Sequence, residues 1–248
     1  SVAFLLVLAL IVISPLFLYP VFLMRILYMA LFACAFNLLI GYVGLLSFGH
    51  AAYFGMSAYI AAWVLKSWEV DAAVAIFVGG LTGMIMGLCF GYLAIRRSGI
   101  YFAMITLALA QMVYFFCVSA PFTGGEDGIQ DVPRGVLFGF ISLADDRSMY
   151  WLVAAIFVGG FILIHRIIHS PFGQVLKAIR ENEARATSLG YATDEYKLIA
   201  FVLSTTLAGI AGATKALVFG IVTFADVHYS MSGEIVLMTL LGGMGTLF

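Results

Sequence analysis

Few residues in this sequence have the types and the spacing that catalysis or metal binding requires. His165 and His169 are four residues apart, so a helix would place both imidazoles on one face, where they could in principle share a metal ion. No neighbouring Cys, Asp or Glu completes a ligand set, and we therefore interpret the pair as membrane-interface residues and predict no metal site. The Walker loop of ATPases, the HExxH of zinc hydrolases and the GxSxG of serine hydrolases are absent. We predict that the chain is not an enzyme.

Ionisable residues inside apolar segments would indicate ion-coupled transport. Lys215 fits this description well, with Asp226 and Glu234 near the boundary of the same region. A lysine at mid-helix costs roughly 2.5–3.5 kcal/mol on insertion scales, so we expect Lys215 to reach the outer interface or to pair with a carboxylate there. Because the sequence also lacks a P-loop, active transport would require an ion gradient or an ATP-hydrolysing partner.

The composition is that of a polytopic membrane protein. Of the 248 residues, 64% are hydrophobic and 10% are charged, against about 25% charged residues in soluble domains. A soluble domain of this length could not bury so much apolar surface. The net charge is −1, and no basic patch indicates a nucleic-acid partner. Cys34, Cys89 and Cys117 lie within apolar runs and are interpreted as reduced packing residues.

Apolar runs separated by polar turns predict an all-α fold with about eight membrane spans, at roughly 20 residues per crossing. The predicted spans are 2–19, 21–40, a crossing that ends near residue 65, 72–95, 100–119, 150–168, 198–222 and the beginning of another at 234–248. The last run has 15 residues, which is too short to cross, so we expect the natural chain to continue. Gly79, Gly83, Gly87 and Gly91 recur every four residues, a stripe that allows close helix packing.

The segment Gly41–Gly55 interrupts the helical pattern. Its four glycines, together with Ser47 and His50, make a poor continuous helix. Irregular backbone at membrane depth is tolerated where protein covers it or where it lines a cavity, and broken helices often mark transport paths. A glycine-rich helix that only packs closely is the alternative. The candidate residues on a translocation path are Asn37, Gly44, Ser47, Gly49 and His50.

A polar segment, Ser170–Lys197, separates two apolar runs. It holds eight charged residues in all, out of the 12 basic and 13 acidic residues of the chain. Ser170 fits a helix N-cap, with Pro171 at the first helical position. Gly190 fits the left-handed residue that ends a helix, and Thr193 fits the cap of a further helix. We predict a hairpin of short helices, hereafter the polar hairpin, that contacts a soluble partner. A solvated connecting loop is the alternative.

The positive-inside rule predicts the orientation. Seven Lys and Arg residues lie on the side that holds Arg96, Arg97 and the polar hairpin, against four on the other side. We therefore place the polar hairpin in the cytoplasm and the loop 120–148 outside.

Several segments in the same order resemble permease subunits of branched-chain amino acid ABC importers. They are GYVGLLSFGHAAYFGMSAY (41–59), TGGEDGI (123–129), SPFGQVLKAIRENEARATSLGY (170–191), KLIAFVLSTTLAGIAGA (197–213) and SGEIVLMTLLGGMGTLF (232–248). The resemblance begins near Tyr28 and covers most of the chain. It implies the type II importer arrangement, a single permease domain over residues 1–248, and about ten spans in a complete chain that continues past Phe248. Lys215 stands where the family more often has a neutral residue.

The resemblance also implies an assembly. The chain would pair with a homologous second permease, with two cytoplasmic ATPases that bind ATP and magnesium, and with a periplasmic or lipid-anchored solute-binding protein, in the lipid of the bacterial inner membrane. The residues of the polar hairpin that would seat in the ATPase are Ala178, Glu181, Glu183, Ala184, Arg185, Ala186, Leu189 and Gly190. The chain itself would bind no cofactor and no nucleic acid.

The function that follows is that of a translocation subunit in an ATP-driven importer of branched-chain or related small amino acids. The substrate rests on the resemblance alone, because relatives in this family also carry amides and urea. One alternative is a self-contained channel or secondary carrier for a small polar solute, with Gly41–Gly55 as its filter. Another is an inert scaffold subunit of a membrane complex.

Overall fold

The computed structural model describes residues 2–16, 18–68, 70–137 and 141–245. The helices are α1 (Val2–Ile13), α2 (Pro20–Asn37), α3 (His50–Trp68), α4 (Ala72–Ala94), α5 (Ile100–Ser119), α6 (Asp146–Ile168), α7 (Pro171–Glu181), α8 (Glu183–Ser188), α9 (Thr193–Phe219) and α10 (Tyr229–Gly242). A π-helical turn, Leu38–Val43, extends α2, and short 3₁₀ turns occur at Ser14–Leu16, Pro121–Thr123, Gly125–Asp127 and Phe224–Asp226. Strands β1 (Val136–Leu137) and β2 (Ile141–Ser142) pair antiparallel. The predicted all-α fold is confirmed.

Five helices are long and apolar enough to cross a membrane: α2 with its extension (Pro20–Val43), α4, α5, α6 and α9. α1 and α10 have 12 and 14 residues, which is shorter than a crossing. α3 has 19 residues and is excluded by its more polar composition. The described residues therefore form a multi-pass helical membrane protein. They contain five candidate spans, against the roughly eight that the lengths of the apolar runs predict.

α9 is the central helix of the bundle and packs against α2, α3 and α4. Its buried residues include Ala208, Gly209 and Gly212, and small residues let helix axes approach closely. A Cβ atom added at Gly212 would lie 2.0 Å from the carbonyl oxygen of Phe54. α3 and α9 thus touch backbone to backbone.

The glycine stripe of α4 faces α9, as the four-residue repeat predicts. A Cβ added at Gly83 would lie 2.4 Å from the carbonyl oxygen of Thr205, and one at Gly87 would lie 1.9 Å from the Thr205 hydroxyl. Gly79 and Gly91 meet Ala213 and Phe201 at 2.5 and 2.8 Å in the same way. The stripe is confirmed as a packing surface.

We expect Gly83→Ala to lower the melting temperature of the detergent-solubilised protein, because the added methyl group would meet backbone that cannot move away. Overpacking of this kind costs about 1–3 kcal/mol. Gly159→Ala is the matched control, since a Cβ at Gly159 in α6 meets nothing within 4 Å and alanine is the better helix former. Equal melting temperatures for both variants would contradict the contact.

The segment between α5 and α6 folds over one end of α9, hereafter the loop side. Ile129 and Val222 form an antiparallel bridge in which both N–H···O distances are 2.9 Å. Arg134 forms an ion pair with Asp146 at 2.6 Å and donates to the carbonyl oxygen of Val218 at 3.2 Å. The polar hairpin lies at the opposite end of α9, hereafter the hairpin side.

The polar hairpin is helical, as its capping residues predict. Ser170 Oγ accepts a hydrogen bond from the backbone N–H of Gly173, with Pro171 as the first helical residue. Gly190 lies two residues after the last residue of α8 and has a φ of +91°, the left-handed conformation that favours glycine and ends a helix. The prediction of Thr193 as a cap is wrong. Ala192 is the N-cap, because its carbonyl oxygen already accepts from the N–H groups of residues 195 and 196, and Thr193 is the first residue of α9.

Candidate functional site

The segment Gly41–Gly55 is a break between two helices. The π-helical turn ends at Gly44, which has a φ of +81°, and non-helical backbone then runs to the start of α3 at His50. A Cβ at Gly44 would lie 3.1 Å from the Cγ of Arg180 in α7. Glycine is required here both for the left-handed backbone and for the close approach of the hairpin.

The protein covers this break on several sides. A Cβ at Gly49 would lie 2.8 Å from the carbonyl oxygen of Thr106 in α5. The N–H of Gly49 donates to Ser47 Oγ at 3.2 Å, and the N–H of Ala51 donates to Ser232 Oγ in α10 at 2.9 Å. Side-chain hydroxyls thus accept from backbone N–H groups at the end of the break, and α5 covers it closely, as irregular backbone at membrane depth requires.

His50 is fully buried where α2, α3 and α9 meet. Its Nε2 lies 2.9 Å from Ser204 Oγ, and that hydroxyl donates its single proton to the carbonyl oxygen of Ala35. Ser204 must then accept from His50, so Nε2 carries the hydrogen and the ring joins α3 to α9 and α2. The rings of Phe36, Tyr53 and Phe201 surround the imidazole. Within the described residues Nδ1 has no hydrogen-bond partner.

Asn37 lies at a junction between the break, the hairpin and the turn after α10. Its Oδ1 accepts from the N–H of Gly245 at 3.0 Å, and the hydroxyl of Tyr42 donates to the carbonyl oxygen of Gly245 at 3.0 Å. The guanidinium of Arg180 donates to the carbonyl oxygen of Gly41. The ammonium of Lys177 lies 5.8 Å from the centre of the Tyr42 ring. α7 is thus bonded directly to the broken span.

The tip of the polar hairpin is preorganised. Asn182 caps α8 by accepting from the N–H of Arg185 at 3.0 Å, and the carboxylate of Glu183 pairs with the buried ammonium of Lys197 in α9. Ala186 is 2% exposed and packs against the protein's own interior, whereas Leu189 is 69% exposed. The other hairpin residues singled out by sequence are exposed: Ala178, Glu181, Ala184, Arg185 and Gly190.

The hairpin thus presents an apolar side chain to the aqueous phase. Leu189 is exposed directly after the last residue of α8, and the ion pair between Glu183 and Lys197 joins that helix to α9. Sequence reasoning did not single out Arg180, Tyr42 or Gly245, because their partners are 139 to 208 residues distant in the chain.

These features define the class of protein: a multi-pass helical membrane protein with one buried broken span and a structured hairpin bonded to it. The profile of the family "Branched-chain amino acid transport system / permease component" matches residues 20–248, and the chain belongs to this family.

Individual relatives agree with the family. The chain is 28% identical over 235 residues to the high-affinity branched-chain amino acid transport system permease protein LivM of Escherichia coli K12, covering 86% of this chain and 55% of LivM. It is 20% identical over 240 residues to LivH of the same strain, covering 88% of this chain and 75% of LivH. It is 29% identical over 176 residues to the autoinducer 2 import system permease protein LsrC of Klebsiella pneumoniae, covering 68% of this chain and 48% of LsrC. The chain thus spans about half the length of LivM. No solved structure is significantly similar to it.

Proposed function

We propose that this chain is a membrane-spanning subunit of an ATP-driven importer of branched-chain amino acids. The match to the permease family over residues 20–248 carries this proposal. The similarity to both LivM and LivH of one strain supports pairing with a second, homologous permease. Two ATPase subunits and a solute-binding protein complete the assembly, which lies in the bacterial inner membrane with the hairpin side in the cytoplasm.

In this proposal α8 docks on an ATPase subunit. The exposed side chain of Leu189 enters an apolar pocket on that subunit, and the exposed charges of Glu181 and Arg185 pair with charges at its rim. Glu183 takes a different role, because its carboxylate is bound to Lys197. This ion pair holds α8 against α9, so that a displacement of the docked helix also moves α9.

The broken span is the element that responds to this movement. Arg180 bonds α7 to Gly41, and the backbone that follows leads to His50, which is bonded to Ser204 in α9. Displacing the hairpin would shift both ends of the irregular segment, where no helical hydrogen bonds hold the backbone. We place the translocation path along this segment, past Asn37, Gly44, Ser47, Gly49 and His50.

Arg180→Met is expected to reduce uptake per inserted protein by about tenfold, because it removes a charged hydrogen bond between the hairpin and the span. Lys177→Met is the matched control, since Lys177 lies in the same helix and, among the described residues, makes a long ring contact with Tyr42 in place of a hydrogen bond. Uptake of labelled leucine is compared at equal protein content in the membrane. Equal rates for both variants would contradict the role of the Arg180 link.

The energy source separates the proposed importer from a channel or a secondary carrier. Uptake of labelled leucine is measured in cells after ATP depletion and, separately, after addition of an uncoupler, with excess urea or acetamide as competitor. We expect uptake to stop on ATP depletion, to survive the uncoupler and to resist both competitors. Uptake that survives ATP depletion would contradict an importer driven by ATP.

A further inference from the structure

A groove of about 340 Å³ opens on the loop side, between α2, the end of α9 and the start of α10. Its volume is within the range of small-molecule sites. Charged residues of both signs line it: Arg25, Lys215, Asp226 and Glu234. Its apolar lining includes Tyr28, Met29, Phe219 and Met231.

An internal ion pair forms one wall of the groove. The ammonium of Lys215 lies 2.6 Å from Asp226 Oδ2 and donates to the carbonyl oxygen of Ile221 at 2.9 Å. The same carboxylate oxygen accepts from the N–H of Thr223 at 3.0 Å. The expectation that Lys215 pairs with a carboxylate at this boundary is confirmed. The pair is mostly buried and fixes the turn between α9 and α10.

Arg25 and Glu234 are the other two charged residues of the groove, and they take no part in this ion pair. Both side chains are exposed, and neither makes an ion pair within the described residues. Each is five residues from the first residue of its helix, about 8 Å along the axis at 1.5 Å per residue. Charges without an ion-pair partner favour a polar environment, such as the aqueous phase or a polar ligand, over lipid.

A ligand of a single charge would satisfy one of these two residues and leave the other uncompensated. A zwitterion satisfies both, because a guanidinium binds a carboxylate through two parallel hydrogen bonds and a carboxylate accepts from an ammonium group. The apolar lining can then receive an aliphatic side chain. The groove combines both signs of charge with an apolar wall, as recognition of an aliphatic amino acid requires.

We propose that this groove is a binding site for a zwitterionic α-amino acid with an aliphatic side chain. Arg25 binds its carboxylate, Glu234 binds its ammonium group, and the ion pair of Lys215 and Asp226 holds the wall in place. This proposal rests on the proposed import function. It adds a site on the outer side of the membrane at which the permease itself binds the substrate.

The test is protection of a cysteine from labelling, which requires no ATP. Ser230 lines the groove and is exposed, so Ser230→Cys is introduced into the full transporter in proteoliposomes. Its reaction with a membrane-impermeant thiol reagent is measured relative to the parent protein. The probes are leucine, leucinamide, which lacks the carboxylate, and 4-methylpentanoate, which lacks the ammonium group. We expect leucine to slow labelling about tenfold and the two analogues to have little effect.

Variants that remove the charge of Arg25 or of Glu234 test whether these two residues bind leucine. Arg25→Gln and Glu234→Gln are each expected to abolish protection by leucine and to raise the KM for leucine uptake about tenfold or more. Lys66→Gln and Asp71→Asn are the matched controls, because they remove the same charges on the loop side outside the groove. Both controls should retain protection and the parent KM.

The outcomes separate the site from the transport function. Protection by leucine without ATP-driven uptake would support the site and contradict the importer. Normal uptake without protection, together with unchanged KM in Arg25→Gln and Glu234→Gln, would overturn the site and leave the importer intact. Loss of assembly with the second permease in both variants would also overturn it, because the groove would then be a subunit contact.

Discussion

Replacing Leu189 with aspartate is expected to abolish ATP-driven uptake while the chain still folds and inserts. Leu189 is the large apolar side chain at the tip of the polar hairpin, with 69% of its surface exposed. A buried charge in place of an apolar anchor removes a contact of at least about 2 kcal/mol, which corresponds to a loss of about 30-fold or more in affinity. Uptake and ATP hydrolysis are measured in the same proteoliposomes, and hydrolysis should persist without uptake.

The control for this variant is Gln174→Asp, which adds the same charge to an exposed position in α7. It should transport at the parent rate, because α7 contacts the membrane part of the protein through its other face. Ala184→Trp and Glu181→Lys are expected to uncouple in the same way as Leu189→Asp, since both alter the exposed side of the docking segment. Normal uptake by Leu189→Asp would contradict docking through α8.

Lys215→Met is expected to lower the free energy of unfolding by about 3–5 kcal/mol, because it leaves the carboxylate of Asp226 without its partner. The Lys215 and Asp226 side chains are only 11% and 13% exposed, so water compensates little of the loss. Unfolding by denaturant in detergent measures this free energy of unfolding directly. The double variant Lys215→Met with Asp226→Asn should recover much of the loss, since the amide is neutral and its oxygen can still accept from Thr223.

The control is Lys66→Met, which removes an exposed lysine that donates to the carbonyl oxygen of Gln130. Surface substitutions of this kind usually change stability by no more than about 0.5 kcal/mol. Equal destabilisation by Lys66→Met and Lys215→Met would show that the ion pair contributes no particular stability.

Local signals in the sequence predicted the features that depend on a few neighbouring residues. Ser170 and Gly190 mark helix ends because each acts on backbone within one turn. The glycine repeat of α4 predicted a close contact, because its spacing alone places four glycines on one face. The solvation cost of a buried lysine predicted that Lys215 would reach the outer interface or pair with a carboxylate there, and it pairs with Asp226.

Long-range contacts could not be predicted in this way. The bond between Arg180 and Gly41 joins residues 139 apart, and the bond between Asn37 and Gly245 joins residues 208 apart. The apolar run 2–19 also predicted a span, whereas α1 is a helix of 12 residues followed by a 3₁₀ turn. The same limit applies to Ala186, which is 2% exposed although its position within the polar hairpin gave no sign of burial.

The central claim is that α8 seats on a separate ATPase subunit, and a crosslink tests it most directly. Cysteine is placed at Ala184, which is exposed, or at Ala186, which is two residues distant and 2% exposed. Membranes that contain all partners are treated with a short thiol-reactive crosslinker, and adducts are identified by mass. We predict that Ala184→Cys forms an adduct with the ATPase subunit and that Ala186→Cys does not. No adduct at position 184, together with normal uptake by Ala184→Trp, would contradict the account and favour a self-contained channel.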